Sequence, residues 1–100
     1  MCFSSINYTF PKTVFADTYT SSEQVDYVLS EMDEVNRARV SETHRRTDEE
    51  LLDLLHSIET YFRIRCAEAG ERYVREMVEQ VRVKNSKRGY YGKTEGGKNV

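Results

Sequence analysis

Two acidic pairs stand in the part of the chain richest in helix-forming residues. The first lies in Glu31-Met32-Asp33-Glu34 and the second in Glu50-Leu51-Leu52-Asp53, with fifteen residues between the two motifs. On a helix, positions i and i+3 share a face, about 5–6 Å apart at Cβ. Each motif therefore presents two carboxylates side by side. If the two helices pack antiparallel, Glu31, Glu34, Glu50 and Asp53 can converge. Four carboxylates repel one another unless something positive sits among them. A hard divalent cation such as Mg²⁺ suits an all-oxygen donor set.

Spacing alone is a loose signal. The chain has 12 Glu and 5 Asp, and pairs such as Glu68/Glu71 and Glu76/Glu79 arise without special purpose. Glu50 also fits a capping box three residues after Thr47. His56 and Glu59 form another i,i+3 pair beside a leucine-rich stripe. A lone His in such a place is more often hydrogen-bonded or exposed than a ligand.

The elements that must carry these residues follow from periodicity. Residues 1–20 show no helical period, hold the only proline, Pro11, and read as an irregular arm with a short strand or turn. Ser21 with Gln24 fits a capping box, and the helix that follows, near 22–41, places Val25, Val28, Leu29, Met32 and Val35 on a core stripe. Val40–Thr47 reads as a polar connection. Thr47 then caps a helix near 48–69, with Leu51, Leu54, Leu55, Ile58, Tyr61 and Phe62 as its buried stripe. Gly70 is a stop. A third helix spans about 71–86, with Val74, Met77, Val78 and Val81 inward. The expected fold is all-α: an antiparallel helical bundle with an irregular N-terminal arm and a flexible basic tail over about 92–100. A turn centred between residues 43 and 44 would set Glu34 level with Asp53.

Composition narrows the function classes. Only 38% of residues are apolar and 32% are charged, in one domain-sized chain of 100 residues. So thin a core predicts an oligomer. Net charge is −2, which argues against a nucleic-acid-binding protein. From Arg82 to Val100, however, six Lys/Arg face one acid, Glu95, so an acidic body precedes a basic tail. That suits a metal-bound polyphosphate: metal on the acids, phosphates on the bases. Cys2 and Cys66 have no metal or disulfide-framework spacing, and Cys66 reads as a small packed hydrophobe. No apolar run reaches the length of a membrane span, and the first residues lack a secretory leader's pattern. A cytoplasmic location without membrane contact is expected.

Three segments in order carry a resemblance. Glu31-x-x-Glu34, then Glu50-x-x-Asp53 within Glu49-Glu50-Leu51-Leu52-Asp53-Leu54-Leu55-His56, then Lys84-Asn85-Ser86-Lys87-Arg88-Gly89-Tyr90-Tyr91 resemble the MazG-like, all-α nucleotide pyrophosphohydrolases over about residues 22–92. The resemblance implies Mg²⁺-dependent hydrolysis of a nucleoside triphosphate to a monophosphate and pyrophosphate. It implies Glu31, Glu34, Glu50 and Asp53 as metal ligands, with Glu34 as the guess for the catalytic carboxylate. Lys84, Lys87 and Arg88 would face phosphates, Asn85 would hydrogen-bond the nucleotide, and Tyr90 or Tyr91 would cover it. It also implies a homodimer or homotetramer. Two departures stand out: Ser30 occupies a place where many relatives carry an acid, and the arm lacks the helix that many relatives have before the first motif. The competing reading is a catalytically inactive helical oligomerisation or interaction module of the same fold. Phe10, Phe15 and Tyr19 read first as packing residues and second as stacking partners for a base.

Overall fold

The computed structural model describes residues 7–41 and 43–92. These form four helices and, among the described residues, no strand: α1 (Phe15–Thr18), α2 (Ser21–Ser41), α3 (His44–Ala69) and α4 (Glu71–Lys87). The expected all-α class holds. Cys2, the first residues of the arm and residues 93–100 of the expected flexible tail lie outside the described residues.

Local chemistry sets the starts of α2 and α3, at places the sequence reading put slightly later, whereas α4 begins at Glu71 as expected. α2 begins with a reciprocal capping box one residue earlier than expected. The Glu23 N–H donates to Thr20 Oγ1 at 3.1 Å, and the Thr20 N–H donates to Glu23 Oε1 at 2.9 Å. Ser21 and Gln24 are therefore not the capping pair, and Gln24 is released to the interior. α3 begins at His44 under an N-cap at Thr43, whose side chain accepts the Arg46 N–H at 3.3 Å. Thr47 is inside the helix, so its expected cap is corrected and Glu50 is not bound up in a capping box. The polar segment ahead of it is helical because Arg45–Glu49 (3.1 Å) and Arg46–Glu50 (3.4 Å) pair across one turn. Gly70 ends α3 at φ +101°, a conformation that L side chains rarely adopt. Among the described residues of the arm there is one helical turn, α1, and no strand.

α2 packs antiparallel along α3, while α4 and α1 each contact α3. The seam of the main pair keeps part of the expected apolar stripe: Val28 and Val35 on α2 turn inward, and Leu54, Ile58, Tyr61 and Phe62 on α3 are half-buried. On α2 the positions turned inward are Gln24, Val28, Glu31, Val35 and Ala38, spaced close to the helical repeat. Val25, Leu29 and Met32 are exposed, as are Leu51, Leu52 and Leu55 on α3. Buried apolar side chains among the described residues are few: Ala38, Ile64 and Val74. Gln24, Ser57, Glu59 and Thr60 are buried beside them. Polar groups thus share the seam with Val28, Val35 and Ala38, and several large apolar groups flank it.

The arm is tied down by one carboxylate. Glu59 Oε2 accepts the Thr9 N–H at 2.8 Å and Oε1 accepts the Phe10 N–H at 2.9 Å. Arg63 donates to the Phe10 carbonyl at 2.8 Å and lies 4.0 Å over the Tyr8 ring. Phe10 stacks on His56 with ring centroids 4.4 Å apart, and Phe15 packs against Tyr19 and Tyr27. Cys66 is disulfide-bonded, which corrects the expectation of a packed thiol. No helix among the described residues is long and apolar enough to cross a membrane.

Candidate metal centre

The connection between α2 and α3 falls between Ser41 and His44, ahead of the centre assumed from sequence. In an antiparallel pair, that slips the register and brings Glu31, rather than Glu34, nearly level with Asp53. One carboxylate oxygen each from Glu31, Glu50 and Asp53 lies within 4.8 Å of the others. Glu31 comes from α2; Glu50 and Asp53, one turn apart, come from α3. The first two are half-buried and Asp53 is exposed. Glu34 is not in this group. It sits one turn further along α2, with Oε2 3.0 Å from Arg37 Nη1. Arg37 also pairs with Asp33.

Electrostatics around the trio are uneven. Arg46 approaches Glu50 at 3.4 Å and offsets part of its charge. Tyr27 stands one turn before Glu31 on α2. Desolvation first, then the charge and hydrogen bond of Glu31 and the charge of Asp53, hold the Tyr27 phenol above its ordinary pKa. The donor set is entirely oxygen, which fits a hard cation in preference to a thiophilic one.

A cavity of about 200 Å³ opens beside the trio, lined by Glu31 and Asp53 together with Tyr27, Gln24, His56, Ser57, Thr60, Thr13 and Phe15. Two buried polar atoms on these side chains, Gln24 Oε1 and His56 Nε2, have no hydrogen-bond partner. Leaving such an atom unpaired costs about 1–3 kcal/mol. Thr60 Oγ1 donates to the His56 carbonyl at 3.1 Å and lies 3.4 Å from Thr13 Oγ1. From sequence, Gln24 has only a capping-box role with Ser21; its signal as an interior residue is its place on the same seam as Val28, Val35 and Ala38.

The basic segment stands elsewhere in the chain. Lys84, Lys87 and Arg88 line a separate open cavity of about 530 Å³ on α4, with Glu79, Gln80 and Val83. The Asn85 carbonyl accepts the Tyr90 N–H at 3.0 Å, closing the end of α4. Tyr90 and Tyr91 are exposed, and the Arg88 guanidinium is 6.0 Å from the Tyr90 ring centroid. No α4 residue lines the cavity beside the carboxylates. Comparison of the chain with protein-family models, with curated proteins and with solved structures finds no match.

Proposed function

We propose that this chain is a Mg²⁺-dependent nucleoside triphosphate pyrophosphohydrolase, as its resemblance to the MazG-like proteins implies, releasing a nucleoside monophosphate and pyrophosphate. The observation that supports it most is the approach of Glu31, Glu50 and Asp53 within 4.8 Å from two helices. Mg²⁺, when bound, offsets phosphate charge and polarises the bond to be broken. Glu34, outside the trio and on the next turn of α2, is the carboxylate proposed to take the proton of the attacking water.

In this reading Lys84, Lys87 and Arg88 stabilise the leaving pyrophosphate, and Asn85, Tyr90 and Tyr91 contact the nucleoside. Because Lys84, Lys87 and Arg88 line a different cavity within one chain, this segment acts on the trio of a second copy, in a homodimer or homotetramer. The apolar side chains left outside the seam support such an assembly: Leu29, Leu52 and Val81 are 55%, 51% and 44% exposed. The cytoplasmic location goes with this reading through the substrate. The bonded Cys66 is the feature that opposes it, because disulfides persist in oxidising surroundings.

The test is pyrophosphate release from each ribo- and deoxyribonucleoside triphosphate with Mg²⁺. The expected result is release that stops when the metal is chelated. No release from any nucleotide, with no Mg²⁺ binding by calorimetry, would leave the inactive helical oligomerisation module. That second reading is favoured by the same exposed apolar side chains and by Ser30, whose hydroxyl donates to the Tyr27 carbonyl at 2.8 Å and offers no charge.

A further inference from the structure

We propose that the outward apolar face of α4 is an interface with a second copy of this chain, in which the two α4 helices pair antiparallel about a two-fold axis between Met77 and Val78. The proposal concerns assembly and does not depend on the hydrolase reading. α4 carries Val74, Met77, Val78 and Val81 at helical spacing on one face. Among the described helices it packs chiefly on α3. The face leaves α3 along its length: Val74 is 1% exposed, Met77 37%, Val78 38% and Val81 44%. Between the two helices opens a groove of about 430 Å³, lined by Tyr61 and Phe62 of α3 and by those four α4 side chains.

The occupant follows from symmetry, charge and core size. In a two-fold contact, residue i meets j and j meets i. Reversed about the point between Met77 and Val78, the stripe maps onto itself: Val74 falls level with the partner's Val81, and Met77 with the partner's Val78. The charge order sets the direction. Residues 80–88 hold Arg82, Lys84, Lys87 and Arg88 with no acid, whereas Glu71, Glu76 and Glu79 stand in residues 71–79. Parallel pairing would set the four bases beside their own copies. Antiparallel pairing parts them, and brings Glu71 within two residues' rise, about 3 Å, of the partner's Arg82 on the same flank. Those acids also count against an anionic membrane surface, which favours a basic polar face. Buried apolar side chains among the described residues are only Ala38, Ile64 and Val74, so a second copy supplies burial that a small single core lacks. In this pair the basic segment lies beside the partner's Gly70, about 25 Å along α3 from Asp53 at 1.5 Å per residue. The two-fold pair therefore does not itself carry Lys84–Arg88 to the carboxylates; a tetramer, with a further contact, is the smaller closed assembly that has both.

The test weighs the full chain by sedimentation equilibrium from micromolar to submillimolar concentration. Wild type is expected to self-associate. Val81→Glu and Met77→Glu should each halve the mass of the assembly, with circular dichroism checking that the variants fold. Val83→Glu, exposed on the opposite side of α4, should leave the mass unchanged. Arg82→Glu sets like charges at both ends of the pair and should raise the dissociation constant about tenfold or more. Adding Glu71→Arg to it should restore the wild-type value. The pairing is overturned by a wild-type chain that stays monomeric, by a mass that neither Val81→Glu nor Met77→Glu changes, or by an Arg82→Glu effect that is absent or that Glu71→Arg does not reverse. Flotation of a monomeric chain with phosphatidylserine vesicles, lost in Val81→Glu, would give the face to a membrane and also overturn it. A monomeric chain that releases pyrophosphate would remove this interface and leave the hydrolase activity standing. Self-association through Val81 without pyrophosphate release would do the reverse.

Discussion

Glu59 holds Phe10 by its backbone, with Oε1 accepting the Phe10 N–H at 2.9 Å across 49 positions of sequence. The second oxygen accepts the Thr9 N–H, so one buried carboxylate clamps the arm onto α3. Hydrogen bonds to a charged group contribute about 1.5–3 kcal/mol. Glu59→Ala is expected to lower stability by roughly 2–3 kcal/mol in urea unfolding. It should also release Phe10 from His56, seen as a change in the His56 ring resonances. Stability within about 0.5 kcal/mol of wild type would show that the clamp is not a structural tie.

The carboxylate trio makes a separate prediction from that for Glu34. Mg²⁺ that binds the native state raises the unfolding midpoint as its concentration exceeds Kd. Asp53→Asn and Glu31→Gln are expected to abolish that rise. Glu34→Gln should keep it, yet slow pyrophosphate release by about a hundredfold or more. A Glu34→Gln variant that works at the wild-type rate removes Glu34 from the chemistry.

The start of α3 can be checked with two threonines. Thr43 caps the helix and Thr47 lies within it. Thr43→Ala should cost about 1 kcal/mol in denaturant unfolding, whereas Thr47→Ala should cost clearly less. Equal losses would favour a later helix start.

Acid should weaken one link between α2 and the end of α3. The Arg65 hydrogen bond first, then those from Ser21, hold the Glu68 carboxyl below the ordinary carboxylate range. A depressed folded-state pKa stabilises above the unfolded value, about 4.3. That contribution fades as pH falls through the folded value. Unfolding midpoints measured between about pH 6 and pH 3 should drop less steeply in Glu68→Gln than in wild type. Identical slopes would mean that the Arg65 and Ser21 contacts do not couple to folding.

The three long helices, their order and Gly70 as the stop between α3 and α4 were legible in the residues, whereas the single turn of α1 was not, because helical period and glycine at a helix end act over a few neighbours and four residues are too few to show a period. Caps were less so. Thr20 and Thr43 compete with Ser21 and Thr47, and which hydroxyl wins depends on where the chain enters the bundle. The apolar stripes were legible in part, with Val28, Val35, Leu54 and Ile58 inward and Val25, Leu29, Met32, Leu51 and Leu55 exposed, because leucines and valines are abundant on more than one face of each helix. The seam went to Gln24, Glu31, Val35 and Ala38.

Sequence by itself determined that this chain is helical, that α2 and α3 form an antiparallel pair, and that acids and bases are segregated along it. Those properties follow from local propensity and charge order. Only the tertiary structure decided that Glu31 joins Glu50 and Asp53 while Glu34 turns to Arg37. Only it placed Gln24 and His56 on one cavity, bonded Cys66, and set Lys84–Arg88 apart from the carboxylates. These outcomes depend on helix register and packing, where a small shift in the turn changes which side chains meet.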